Sequence, residues 1–161
     1  MNALPTPSMT RADRFLYPPW ESHTTRLAYR RLRSSVAVIS AHGHIDASNA
    51  DTLTEYTLGH LIRCRGLILD LRDLDFFGTD GFSALHRISV CCADPGIGWA
   101  VVPSAAVSRV LRIGDPQGLL PAASTVDAAM AIIQGQPHRP PGPSRATETP
   151  DNRRDANARC A

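Results

Sequence analysis

Lysine is absent from this chain of 161 residues, and all seventeen of its basic side chains are Arg. With abundant Ala, this is a compositional signature of a GC-rich genome and carries no function. Long apolar runs are missing too. Stretches such as Gly66-Leu-Ile-Leu69 fall far short of the roughly 20 residues needed to span a bilayer, which excludes a transmembrane helix. The first ten residues lack the basic segment and apolar core of an export signal, so a cytoplasmic location is expected. Cysteine is sparse, at four residues, and shows no C-x-x-C or other metal-ligand spacing. In a reducing compartment Cys64, Cys91, Cys92 and Cys160 are expected as free thiols. A clustered basic face is also lacking. Residues 1–134 hold twelve Arg against twelve acidic residues, and the net charge of +2 sits wholly in the tail. The dense run Arg30, Arg31 and Arg33 alternates with apolar residues as an exposed strand edge does, so no direct nucleic-acid partner is expected.

What remains is an ordinary soluble composition with a clear division of the chain. Residues 1–23 mix Pro, Ser and Arg around Tyr17-Pro-Pro-Trp20 and read as a flexible arm, in which Trp20 is either an anchor for a partner or, the commoner case, a tail residue folded back onto its own domain. Residues 135–161 begin Gly135-Gln-Pro-His-Arg-Pro-Pro-Gly-Pro-Ser144 and read as a disordered Pro/Arg-rich tail. The folded unit is therefore expected over 24–134. Arg26–Arg33 reads as an outer strand and Val36–Ala41 as a buried one. A helix follows, with Ser48 and Asp51 at capping-box spacing and Gly66 as its stop. Leu67–Leu71 reads as a central strand, and Phe82, Leu85, Ile88 and Cys92 lie on one helical face. Ile97–Val102 is a further strand, Ser104 caps a helix that ends at Gly114, and Ser124 with Asp127 opens a last helix. Leu119 and Leu120 fit a short edge strand or an extended connection. Strands alternating with helices imply an α/β layer fold with parallel neighbours, about four strands in all.

The chemistry-bearing stretch is Asp75-Phe-Phe-Gly-Thr-Asp-Gly-Phe-Ser-Ala-Leu85, where a strand gives way to a helix. As N-cap, Thr79 accepts a hydrogen bond from a backbone amide, a structural role worth about 0.5–2 kcal/mol. The same amides and the helix dipole also suit a phosphate placed on that hydroxyl, and Gly78 and Gly81 leave it uncrowded. A metal site would start from His42, His44 and Asp46, but no further His-rich pattern supplies the missing ligands. His86 lies beside the helix stripe as a boundary residue. No Gly-rich phosphate loop, G-x-S-x-G elbow or catalytic carboxylate pair is present, so neither an enzyme nor a cofactor is expected.

Gly43-His-Ile-Asp46, the run from Leu67 to Leu85, Val102-Pro-Ser104 and Val107-Ser-Arg-Val-Leu-Arg-Ile-Gly114 together resemble the STAS domain of bacterial anti-sigma factor antagonists. The likeness covers nearly all of 24–134 and implies a STAS-like mixed β-sheet with packed α-helices. It also implies partner switching: the unmodified protein binds an anti-sigma factor of the serine/threonine kinase type and frees a sigma factor, while phosphorylation releases the complex and a phosphatase restores it. The phosphorylated Ser of the family's Asp-Ser-Ser-Gly maps to Thr79. Gly43, His44, Asp46, Phe77, Gly78, Thr79, Asp80, Gly81 and Phe82 map to the docking face. Two positions depart from the pattern, Gly78 for Asp and Asp80 for the second Ser. The alternative within the same fold is a ligand-sensing or scaffold module of a stress-signalling complex, which needs no phosphorylatable hydroxyl.

Overall fold

Residues 18–32 and 35–135 are described by the computed structural model; the expectations for 1–17 and 136–161 lie outside the described residues. Five strands form one mixed sheet in the order β1 (Trp20–Glu21), β2 (Thr25–Leu32), β3 (Val36–Ile45), β4 (Gly66–Phe77) and β5 (Gly98–Pro103). The first three pair antiparallel, and β3, β4 and β5 run parallel. The strand beyond the expected four is β1, a two-residue rung that extends the sheet into the segment read as a free arm. It is that short because Pro18 and Pro19 precede it and have no amide hydrogen to offer β2.

Helices α1 (Ala50–Gly59), α2 (Thr79–Ala93) and α3 (Ala105–Gly114) cover one face of the sheet, and α4 (Val126–Gly135) covers part of the other. The central run of β4 explains this two-sided burial. Leu67, Leu69 and Leu71 point into the larger core and Ile68 into the smaller, all four fully buried. Each such side chain contributes about 1.5–3 kcal/mol. Asp70 breaks the run on the α4 side, where Arg72 grips both of its oxygens at 2.8 and 2.9 Å. Burial pushes that carboxyl up, but the bonds and charge of Arg72 together outweigh it and hold the group below its ordinary value.

Several local expectations change at the element ends. Ser48 does not cap α1. Asn49 is the N-cap residue and its side chain bonds elsewhere, while Ser48 is taken up by Asp46, whose Oδ1 accepts from the Ser48 amide at 2.8 Å. Gly66 is not the helix stop either: α1 ends at Gly59, and Gly66 opens β4 where Ile133 and Val36 pack against its bare Cα. At α4 the cap is Thr125, which accepts from Ala128 at 3.0 Å, rather than Ser124. Leu119 and Leu120 lie in a connection leading to the single bridge between Val101 and Ala122. Cys64 and Cys92 are free thiols as expected, and burial pushes the Cys92 thiol up to about 12. Cys91 is disulfide-bonded, which corrects the expectation for that residue. Neighbours on a helix leave it about 100° apart, so Cys92 enters the core while Cys91 stays half-buried.

Candidate partner-docking site

Two loops meet at one end of the sheet because β3 and β4 lie parallel and adjacent. His44 pairs with Phe76 and Ile45 with Phe77, and the amide of Gly78 extends the ladder by donating to Ile45 O at 2.9 Å. The segments 43–46 and 76–82, far apart in sequence, thereby form one surface.

The first segment is held by backbone geometry and a buried polar knot. Gly43 has φ +91°, and a Cβ there would lie 2.0 Å from Thr24 O, so no side chain fits. Asn49 is buried, and its Nδ2 donates to Thr25 Oγ1 at 2.8 Å and to His44 O at 2.9 Å. Its Oδ1 accepts from the Asp46 amide at 3.0 Å, and Thr25 Oγ1 donates to His44 O. Sequence reasoning missed Asn49 and Thr25; the Asp-x-x-Asn spacing ahead of the helix was the available signal for the former. Asp46 itself faces solvent at its edge, and the Ser48 hydroxyl, then the Ser48 amide, hold its carboxyl below the usual carboxylate range.

The second segment turns on two register shifts along the β3–β4 ladder, each adding one residue to β4. The first reverses the inside–outside alternation, so Leu74 is buried. The second restores it, so Phe77 goes inward at 4% exposure while Phe76 stands out at 50%. Two residues expected on the docking face are therefore buried. Phe77 lies beneath the surface and Gly81 with it, since a Cβ on Gly81 would sit 2.6 Å from the Phe77 ring. Phe82 is half-buried against Gly114. The outward residues are His44, Asp46, Phe76, Gly78, Thr79 and Asp80, with Gly43 half-buried among them and the His44 ring edge-on to Phe76 at 6.2 Å.

Thr79 differs from its expected role in a useful way. The ladder bond to Ile45 holds Gly78 in extended backbone, at φ −88° and ψ 177°, so Gly78 is the N-cap and the helix starts one residue earlier than expected, at Thr79. The Thr79 hydroxyl is exposed and makes no hydrogen bond among the described residues, and the amides of Thr79 and Asp80 are likewise unpartnered. Those of Gly81 and Phe82 bond to Gly78 O at 3.1 and 3.3 Å. A free hydroxyl thus stands beside two free amides at the positive end of a fifteen-residue helix.

His42 pairs with Asp73 at 3.3 Å, His44 rests on Phe76 and Asp46 is engaged by Ser48, so the three candidate ligands diverge. Among the described residues no three His, Cys, Asp or Glu side chains gather around a common point, and no helix is long and apolar enough to cross a membrane. The surface is acidic at Asp46, Asp73, Asp75 and Asp80 and aromatic at the exposed Phe76.

Comparison with known proteins supplies a context for this surface. A family model of the STAS domain matches residues 30–129. The chain is 29% identical over 103 residues to Osmosensory protein A of Mycobacterium tuberculosis, a match covering 62% of this chain and 65%, just under two thirds, of that relative. Among solved structures, an anti-sigma factor antagonist from Mycobacterium paratuberculosis superposes with TM-score 0.61 at 22% identity, covering 69% of this chain and 95% of the other. The RsbS protein of Moorella thermoacetica, solved with a serine-to-glutamate change, gives 0.56 at 17% identity over 67% and 94% of the two chains. The anti-sigma factor antagonist SpoIIAA in its unphosphorylated form gives 0.50 at 14% over 68% and 96%.

Proposed function

The chain belongs to the STAS domain family, and from that premise we propose that it is an anti-sigma factor antagonist switched by phosphorylation of Thr79. In its unmodified form the surface around His44, Phe76 and Thr79 docks on an anti-sigma factor of the serine/threonine kinase type, which then releases its sigma factor. The kinase phosphorylates the docked Thr79, the complex parts, and a phosphatase resets it. The chain itself performs no catalysis.

One observation carries this reading: the Thr79 hydroxyl is exposed and unbonded at an uncapped helix start. A kinase can reach it without breaking any internal bond. The resulting phosphate brings about 1.5–2 negative charges, and the helix dipole and the two free amides receive them without unfolding α2. A docked partner has no such compensation. Lowering its affinity a hundredfold requires only about 2.8 kcal/mol of repulsion and desolvation, well within what a buried dianion imposes. Asp80 adds its own carboxylate beside the acceptor hydroxyl, so the modified site is more negative still.

The test mixes the purified chain with each candidate anti-sigma kinase, with and without ATP, and reads binding and peptide-level phosphate together. The expected result is binding to one kinase, phosphate on Thr79, and release after ATP is added. Binding that persists with ATP and leaves Thr79 unmodified removes the switch and keeps the antagonist. Absence of binding to every kinase removes both and favours the scaffold or ligand-sensing role.

A further inference from the structure

At the far end of α1 from the docking surface, a groove of about 440 Å³ runs between Pro18, Pro19 and Trp20 on one side and the last turns of α1 on the other. Its walls are fixed, since the Tyr56 hydroxyl donates to Pro18 O at 3.3 Å and the His60 ring leans on Tyr56 at 4.3 Å. Its end beyond α1 is open. Gly59 lines it with no side chain, a Cβ there would meet nothing within 4 Å, and Ile62, two residues past His60, is 78% exposed. The turn that carries Ile62 is nonetheless well held. The amides of His60 and Leu61 donate to Thr57 O at 3.1 Å and Leu58 O at 3.2 Å, Leu61 is buried, and the Arg65 amide donates to Ser35 O at 2.8 Å.

The direction of the chain decides what lies next to this end. Strand β1 pairs antiparallel with β2, and β2 with β3, so β1 runs with β3. Helix α1 returns against β3, because it forms the crossover between the parallel strands β3 and β4. Followed backwards from Trp20, the chain therefore travels with α1 towards the turn at 60–62. Pro18 is level with Tyr56, to which it is bonded, and Ile62 lies roughly 10 Å further on at about 1.5–2 Å of rise per residue. A residue before proline favours extended backbone, so Tyr17, Leu16 and Phe15 also cover about 10 Å. They form an apolar triplet in the segment before Pro18, whose residues 1–14 hold no aromatic side chain.

We propose that Phe15, Leu16 and Tyr17 continue from β1 along the end of α1 and close the groove, with Phe15 and Leu16 packed on Ile62 beside the bare Cα of Gly59. The occupant is joined directly to the groove wall, so no long loop has to be closed and the ordering cost falls on a few residues. The N-terminal boundary of the domain then lies near residue 15 rather than 24.

The test observes the Ile62 δ1 methyl in the full-length protein carrying ¹³C-labelled isoleucine methyl groups. Cross-relaxation from the Phe15 ring to that methyl is expected. Phe15→Ser with Leu16→Ser is expected to shift the Ile62 signal, while that of Ile113, which is also exposed, stays. Limited tryptic digestion gives an independent reading: Ile62→Ser is expected to speed cleavage after Arg14 by about tenfold and to leave cleavage after Arg145 unchanged. Three outcomes overturn the proposal: an Ile62 signal unmoved by the double variant, cleavage after Arg14 at the same rate in Ile62→Ser and wild type, or a wild-type Ile62 signal that depends on protein concentration, which assigns the surface to a second copy.

Discussion

Helices α2 and α3 begin in nearly the same way and end up chemically opposite. Each follows a parallel strand of the sheet, and each N-cap residue has an extended backbone, with ψ 177° at both Gly78 and Ser104. Ser104 uses its hydroxyl to accept from the Val107 amide at 3.2 Å, whereas Gly78 has no side chain to use. The closed start belongs to the helix that buries little, with Val107 its one fully buried residue. The open start belongs to the helix that sinks Ala84, Leu85, Ile88 and Cys92 into the core. A well-anchored helix tolerates an unsatisfied first turn; a lightly anchored one needs its cap. The unsatisfied turn is therefore available for an outside anion, and it is the one that carries Thr79.

The comparison breaks most severely if the ground under the open start is removed. Gly43→Ala forces a Cβ to within contact-breaking distance of Thr24 O at a φ that L residues rarely adopt. The expected cost is about 3 kcal/mol or more, seen as a large fall in the urea midpoint, because strained backbone and overpacking act together. An unfolding free energy within about 0.5 kcal/mol of wild type would show that the 43–46 segment moves independently of the ladder beneath it. Gly81→Ala comes next. Its Cβ meets three Phe77 ring atoms at 2.6–2.9 Å, and the ring is buried with little room to yield, so about 1–3 kcal/mol is expected. The same change at Gly114 meets the half-buried Phe82 ring, which can swing outward, and is expected to cost less.

The cap exchange is a gentler and more direct comparison. Ser104→Ala is expected to cost about 0.5–2 kcal/mol, since the Val107 amide loses its partner. Thr79→Ala is expected to stay within about 0.5 kcal/mol, as an exposed side chain with no bond to lose. Equal costs in a denaturation series would mean that the Thr79 hydroxyl caps α2 in solution.

These contrasts also separate what the sequence makes legible from what it does not. The β4 run, the Phe82-to-Cys92 stripe and the Ser104 cap follow from periodicity and local chemistry, and all three are present. The N-cap does not fall on Thr79 as local preference suggests: the ladder bond from Gly78 to Ile45, made across 33 positions, holds Gly78 in extended backbone as the cap, and the helix starts one residue earlier, at Thr79. The choice between Phe76 and Phe77 is hidden for the same kind of reason. Strand alternation is a local rule, and two register shifts against β3 reset it twice. Asn49 escaped because a residue ahead of a helix normally caps that helix, whereas this one ties β2 to the 43–46 segment.

The smallest expected effect asks whether the open start is a requirement or an accident. Gly78 has φ −88°, which any L residue accepts, and a Cβ there would touch only the Phe76 ring and Ile45 O, at 3.5 Å or more. Gly78→Ser therefore fits, and its hydroxyl can accept from the Asp80 amide, so a gain of a few tenths of a kcal/mol is expected in the unfolding free energy. That gain should vanish when a negative group is placed beside it. In a cycle with Thr79→Glu, the carboxylate and the Ser hydroxyl compete for the same two amides, so the double variant is expected to be less stable than the sum of the singles by about 0.5 kcal/mol or more. Additivity would mean that the amides of Thr79 and Asp80 do not hold the anion, and that a phosphate on Thr79 points to solvent and acts on the partner alone.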